Sequence, residues 1–160
     1  MKLRSRRKSL LWHHGTVTDL GKLGEGAWNT PDAINDNGEI VGFANTANDV
    51  NTLIFHAFLW TRDLGKMKDL KTLPGDVISE AEGINDQREI VGISYGAGFS
   101  HPRAVVIFQD GVMRDLNGLV LNNPGLTLTN AAAINNLGWI TGTANDQSGT
   151  QVSFLAIPAR

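Results

Sequence analysis

The chain has no cysteine in its 160 residues, which excludes disulfides and thiolate metal sites. It has no run approaching the ~18 consecutive apolar residues of a membrane-crossing helix, so no membrane span is expected. No stretch sustains an apolar period of 3.6, so almost no helix is expected either. Aromatic residues make up only 7%, with a single tyrosine, so an aromatic outside a core stands out. Acid is missing from one place. Lys2, Arg4, Arg6, Arg7 and Lys8 fall in the first nine positions, which hold no Asp or Glu, while the remainder carries 9 basic and 16 acidic residues. Such a start would suit a nucleic-acid or membrane tether. The apolar run that follows, Leu10-Leu11-Trp12, is cut off by His13-His14-Gly15 and gives no core for a cleavable signal. Residues 1–9 are expected to be a basic disordered tail, with no nucleic-acid partner.

What is present is a repeat. The block Ala33-Ile34-Asn35-Asp36-Asn37-Gly38-Glu39-Ile40-Val41-Gly42 returns 50 residues later as Gly83-Ile84-Asn85-Asp86-Gln87-Arg88-Glu89-Ile90-Val91-Gly92. It returns after another 50 as Ala133-Ile134-Asn135-Asn136-Leu137-Gly138-Trp139-Ile140-Thr141-Gly142. Each block reads as a β-hairpin. A type I′ turn would force Gln87, Arg88 and Leu137 to positive φ. A type I turn followed by one left-handed residue asks this only of 38, 88 and 138, two of which are Gly. It also puts Asn35, Asn85 and Asn135 where an Asn side chain can bond the backbone two residues on. Asn35 then pairs with Glu39, and Ile34 with Ile40. Arg88 should lose roughly 1 kcal/mol to its left-handed backbone, so Arg88→Gly is expected to raise the melting temperature.

A second hairpin follows each block: His56-Ala57-Phe58-Leu59-Trp60 with Lys66-Met67-Lys68-Asp69-Leu70, then Ala104-Val105-Val106-Ile107-Phe108 with Val112-Met113-Arg114-Asp115-Leu116. The start, Leu10-Leu11-Trp12 with Thr16-Val17-Thr18-Asp19-Leu20, matches the same part, and Ser153-Phe154-Leu155-Ala156-Ile157 matches only its first arm. Trp12, Trp60 and Phe108 take matching places and are expected to pack in the core or between units. The expected fold is all-β: repeated four-stranded antiparallel units of about 50 residues, β-propeller-like, in one domain over 10–160. The units fall at roughly 10–26, 27–76, 77–126 and 127–160. About three units are fewer than the 4–8 blades of closed propellers. The array therefore leaves its ends open, closes as a small ring, or is completed in a homodimer.

These features together resemble the HAF-repeat family. His56-Ala57-Phe58-Leu59-Trp60 matches its naming motif, the Ile-Asn-Asp hairpins its first motif, and Asp19-Leu20-Gly21-Lys22-Leu23-Gly24 and Asp69-Leu70-Lys71-Thr72-Leu73-Pro74-Gly75 its third. The resemblance implies a bacterial, extracellular repeat protein with no agreed activity. Through Asp115-Leu116-Asn117-Gly118 and the last hairpin, it also implies the C-terminal part of an array. The chain departs from the pattern at Arg88, at Val105-Val106 in place of Ala-Phe, and in lacking a signal peptide.

Asp32, Asn35, Asp36 and Asn37 could offer oxygens to Ca²⁺, but Arg88 and Leu137 stand in the other copies, so the turn itself is the expected use and no metal is expected. His13 and His14 are adjacent and point apart, His56 opens a strand, and His101 precedes Pro102; no partnered base or ligand set emerges. Gly96-Ala97-Gly98-Phe99-Ser100 is not followed by a helix, and no nucleophile elbow exists. No catalytic residue and no cofactor is expected. The inter-hairpin loops 44–55, 94–103 and 143–150 suit binding, and Tyr95, Phe99 and His101 are the nominated binding residues. The expected function is a non-catalytic interaction module for an unknown protein or glycan. The alternatives are a carbohydrate-binding or carbohydrate-active surface protein, with Glu39 and Glu89 as recurring carboxylates, and a truncated array segment without independent function.

Overall fold

The computed structural model describes residues 8–24, 28–46 and 54–159. They contain thirteen strands and two short 3₁₀ turns, Ala97–Phe99 and Leu116–Gly118. The first sheet is β1 (Leu10–His13) with β2 (Thr16–Asp19). The second is β3 (Asn29–Ile34), β4 (Ile40–Asn45), β5 (Phe55–Trp60) and β6 (Met67–Asp69), in that order. The third is β7 (Ile78–Ile84), β8 (Ile90–Tyr95), β9 (Arg103–Ile107) and β10 (Met113–Asp115). The fourth is β11 (Thr127–Ile134), β12 (Ile140–Asn145) and β13 (Gln151–Ala156). All pairings are antiparallel, and the described residues form neither a closed barrel nor a closed propeller.

The hairpin turns follow from their sequence. Ile34 pairs with Ile40, Ile84 with Ile90 and Ile134 with Ile140. The Asn35 amide donates to the Glu39 carbonyl at 3.1 Å, and the amide of Gly38 donates to Asn35 at 3.0 Å. Positive φ falls at Gly38 (74°), Arg88 (60°) and Gly138 (74°), as a type I turn with one left-handed residue requires.

Each first strand then bulges at the same place, between Pro31 and Ala33, Ala81 and Gly83, and Ala131 and Ala133, and β11 shifts register a second time between Leu128 and Asn130. The bulge accounts for the glycine that ends each block. A Cβ on Gly42, Gly92 or Gly142 would lie 2.0, 2.0 or 1.9 Å from the carbonyl oxygen of Thr30, Glu80 or Asn130 on the bent strand. No side chain fits at that crossing.

The fourth strands end in a common device. Asp19, Asp69 and Asp115 each accept the backbone N–H two residues on, from Gly21, Lys71 and Asn117, at 2.8–2.9 Å. Each also faces a basic side chain two residues before its strand partner: Lys8 at 2.6 Å, His56 at 3.0 Å and Arg103 at 3.6 Å. The Leu that follows each Asp, Leu20, Leu70 or Leu116, is buried. Residues 1–7 of the basic stretch lie outside the described residues. Of its last two, Lys8 makes this ion pair and Ser9 is buried against Asn29.

Alternate residues of each sheet feed different cores. Ile40, Ala44, Phe58 and Trp60 pack with Leu20, which follows β2 of the first sheet. From the opposite face, Val41, Ala57 and Leu59 pack with Ala81, Ile90 and Ile107 of the third. Val91, Ala104 and Val106 pack likewise with Leu128, Ala131 and Ile140 of the fourth. This is the period-two pattern of strands buried on both faces.

The expected match holds in register for Trp12 and Trp60, which pair with Val17 and Met67 two residues before Asp19 and Asp69, and fails for Phe108. Trp60 pairs with Ile40 and Ile107 with Ile90, so Ile107 holds the place of Trp60. Trp60 is buried (2% exposed), whereas Trp12 is 75% and Phe108 40% exposed. Phe108 instead lies beneath the Arg114 guanidinium, 5.5 Å from the ring centre. The cause is loop length: His14-Gly15 makes a two-residue turn between β1 and β2, while Phe108–Val112 bridges β9 and β10 with one residue more than the matching spacing allows. The same shift puts Arg103-Ala104-Val105 in register with His56-Ala57-Phe58, so the departure from that motif is Arg for His and Val for Phe.

Arg88 acquires a second role. Its Nε donates to Glu39 Oε1 at 2.6 Å, and its terminal nitrogen bonds the same oxygen. Glu39 is 5% exposed. Burial alone would raise its carboxyl, but the bonds from Arg88 and Asn35 outweigh that and hold it below the ordinary value of 4.5. Arg88→Gly relieves about 1 kcal/mol of backbone strain but removes a charge-assisted bond worth about 1.5–3 kcal/mol. The melting temperature at neutral pH should therefore fall, contrary to the expectation from sequence. In a Glu39→Gln background the same change should raise it. Calorimetry on the four proteins checks both signs. Gly92→Ala should destabilise by more than about 2 kcal/mol, while Gly118→Ala, which meets nothing within 4 Å, should be near neutral in a urea titration.

Candidate functional site

The bulges re-aim side chains, as bulges beside functional sites commonly do. Asp32 and Glu82 are the extra residues in β3 and β7, and Ala132 holds the same place in β11. Thr30, Glu80 and Asn130 stand two positions earlier, opposite Phe43, Ile93 and Thr143. β3 and β11 both pack against β7, which gathers Asp32, Glu80 and Glu82 into one acidic row. Asn130 closes the row by donating from Nδ2 to Glu82 Oε2 at 3.1 Å, while its Oδ1 is buried without a protein partner.

The carboxyls of this row hold their protons more tightly than usual. Burial, and next the Glu82 charge, push Asp32 up to about 6. Asp32 is exposed, so solvent screens much of this shift. Burial, then Glu82 and Asp32, raise Glu80. Burial raises Glu82 against the lowering bond from Asn130. Tyr95 belongs to the same neighbourhood: burial, then Glu80 and Glu82, push its phenol up to about 12. Groups shifted in one direction at one place are the pattern of a recognition or catalytic surface.

Tyr95 ends β8, and Phe99 lies in the turn that follows. Their rings meet edge to face with centres 5.4 Å apart, and Phe99 is 42% exposed. The turn is tied by Gly96 N–H to the Ser100 carbonyl at 2.8 Å and by Ser100 Oγ to the Ala97 carbonyl at 2.8 Å. Its base is fixed by Arg103, which pairs with the nearly buried Asp76 at 2.8 Å, and Asp76 in turn accepts Ser94 Oγ at 2.7 Å. Phe99 and His101 are held at φ 61° and 50°. His101 is exposed, and nothing draws it into the row of carboxylates. Of the three residues nominated from sequence, the structure brings Tyr95 and Phe99 together and leaves His101 apart.

The other nominated groups serve the scaffold. Asn35 Nδ2 donates to the Asn85 carbonyl at 3.0 Å, and Asn37 Nδ2 to the Asp86 carbonyl at 3.0 Å. These amides are thereby committed to the next hairpin rather than to an ion. Among the described residues no group of three His, Asp or Glu could hold a metal. Glu39 is paired with Arg88, and Glu89 accepts Asn85 Nδ2 at 2.6 Å, so the two recurring carboxylates are turn braces. Within loop 44–55, residues 47–53 lie outside the described residues. Loop 143–150 is a tight turn in which Asp146 caps Ser148 and Thr150.

Sequence reasoning missed Glu80, Glu82 and Asn130 and weighed Asp32 only for calcium. A signal existed: an acid stands three residues before the Asn of the first two blocks. No protein-family model, curated protein or solved structure matches the chain.

The raised carboxyls contribute stability that is complete below their unfolded values of 3.8 and 4.5 and is lost as pH rises through the folded ones, about 6 for Asp32. Asp69 acts oppositely. Burial raises it, but the bonds from His56 and Lys71 hold it well below 3.8, so its contribution is lost only as pH falls past that value. Glu82→Gln keeps the Asn130 bond and removes one charge. The difference in melting temperature, variant minus wild type, should increase as pH goes from about 4 to about 7. A flat difference would show that the row is not electrostatically coupled.

Proposed function

We propose that the chain is a non-catalytic recognition module whose ligand-bearing face is the Tyr95–Phe99 pair together with Asp32, Glu80, Glu82 and Asn130. The single supporting observation is the exposed Phe99 ring set against Tyr95 beside the partly buried carboxylates Glu80 and Glu82. Such a face offers an apolar plate and several acceptors, and it leaves the backbone scaffold undisturbed when occupied. The scaffold is read as a run of propeller-like four-stranded units of HAF-repeat type. The shared register of the three hairpins and the common Asp-Leu ends of the fourth strands support this reading.

A glycan is the second reading, favoured by the same juxtaposition. Sugar C–H faces rest on aromatic rings, and sugar hydroxyls donate to carboxylates and amides. The carboxylates concerned are Glu80 and Glu82 rather than Glu39 and Glu89.

The test is a binding screen of the labelled full chain against immobilised glycans and proteins, followed by calorimetry on any hit. Phe99→Ala should weaken the interaction by about tenfold or more without changing the melting temperature. Incubation with chromogenic glycosides and esters should give no turnover. Turnover abolished by Glu80→Gln or Glu82→Gln would overturn the non-catalytic reading.

A further inference from the structure

The fourth sheet has three strands among the described residues, and β13 is its edge. Beside that edge lies an apolar groove of about 390 Å³ between the third and fourth sheets, lined by Val106, Leu116, Ile140, Leu155, Ala156 and Pro158 among others. The chain itself shows what fits such a groove. Val106, Leu116, Ile140 and Ala156 occupy the register places of Leu59, Leu70, Ile90 and Ile107 in the preceding pair of sheets. There the edge of β9 is covered by β10, with Met113 opposite Ile107 and packed on the core. One sheet earlier β6 covers β5, with Met67 opposite Trp60. Among the described residues no strand lies on the outer side of β13 at Ala156, and the smallest side chain of the series stands where Trp60 and Ile107 fill the space. The groove thus continues the interface that already joins the third and fourth sheets.

We propose that β13 and this groove form a docking site for an extended peptide segment of a protein partner. The segment adds antiparallel to β13 as a fourth strand and seats an apolar side chain over Ala156. A second copy of the chain is the poorer occupant, because its own fourth strands β2, β6 and β10 are already paired. The register also sets a preference. In the other sheets the side chains of Lys8, His56 and Arg103 hold the Asp of the covering strand, and at their place in β13 stands Val152. A guest with a neutral residue where the chain's own strands carry Asp is therefore favoured. The site shares no residue with the Tyr95–Phe99 face, and the inference does not rest on that reading.

The probe is a fluorescent peptide of sequence 110–118, taken from the strand that covers β9, titrated by anisotropy against the full chain. Saturable binding is expected. Asp115→Thr in the peptide should leave it as tight or tighter, and Met113→Asp should weaken it by about tenfold or more. Ala156→Asp in the protein, which puts a charge into the apolar seat, should weaken binding by about tenfold or more while the chain still melts cooperatively. If that variant fails to fold, the peptide pair decides. Phe99→Ala should leave peptide binding unchanged, which separates this site from the proposed ligand face. Absence of saturable binding, or indifference to Met113→Asp, overturns the proposal. So does amide-exchange protection of Ser153 and Leu155 that grows with protein concentration in the absence of peptide, since a second copy would then be the occupant.

Discussion

Everything in this molecule is spaced by a side-chain amide. Asn85 accepts the Glu89 N–H at 2.8 Å and donates to Glu89 Oε2 and to the Asn135 carbonyl, while its own carbonyl takes Asn35 Nδ2 at 3.0 Å. The residue is 2% exposed and fully bonded. Only an amide of this length supplies both the acceptor that shapes the turn and the donor that reaches the next hairpin; an aspartate has no such donor. The neighbouring residues repeat the reach, Asp36 N–H to Asp86 Oδ1 and Asp86 N–H to Asn136 Oδ1, both at 2.9 Å. Because a buried amide left half-bonded is costly, the distance between successive hairpins is fixed. The apolar faces of the sheets are brought to packing distance at the same time.

Two consequences follow for the surface. With the hairpins locked in step, the bulge of each first strand falls beside the bulge of the next, and the side chains that the bulges turn outward form a row. Had the row been Ala in every sheet, as at Ala132, nothing would titrate there. Asp32 and Glu82, with Glu80, make it acidic and half-dry, and Tyr95 with Phe99 supplies the aromatic flank. The same stepping leaves terminal faces uncovered. Ile34, whose counterpart Ile84 is buried, is 57% exposed, and at the other end Leu155 and Ile157 are 54% and 57% exposed. An interior residue of one sheet is an exterior residue of another solely through its position in the stack.

The turns were legible because they obey local rules. A left-handed backbone at 38, 88 and 138 follows from where glycine recurs, and the pairing of the isoleucines follows from the loop. The alternation of the strands and the scarcity of helix were equally plain. The alignment of the second hairpins was not, since one extra loop residue moved Phe108 out of register with Trp60. The second role of Arg88 escaped notice for a related reason: its strain is local and visible in the sequence, while its partner Glu39 is 49 residues away. The acidic row escaped notice because a bulge is set by strand pairing and leaves no turn residue to mark it.

The sequence by itself determined the period, the hairpin geometry and the all-β character, since these depend on backbone preferences of residues close together in the chain. It also placed Tyr95 and Phe99 close together in the chain, around one connection between strands. Only the tertiary structure decided which carboxylates lose water and hold their protons, which repeated Glu becomes a brace for Arg88, and which strand edge stands open over Ala156. Each of those depends on atoms about 50 residues apart meeting across a sheet interface, and burial and charge coupling exist only after that meeting.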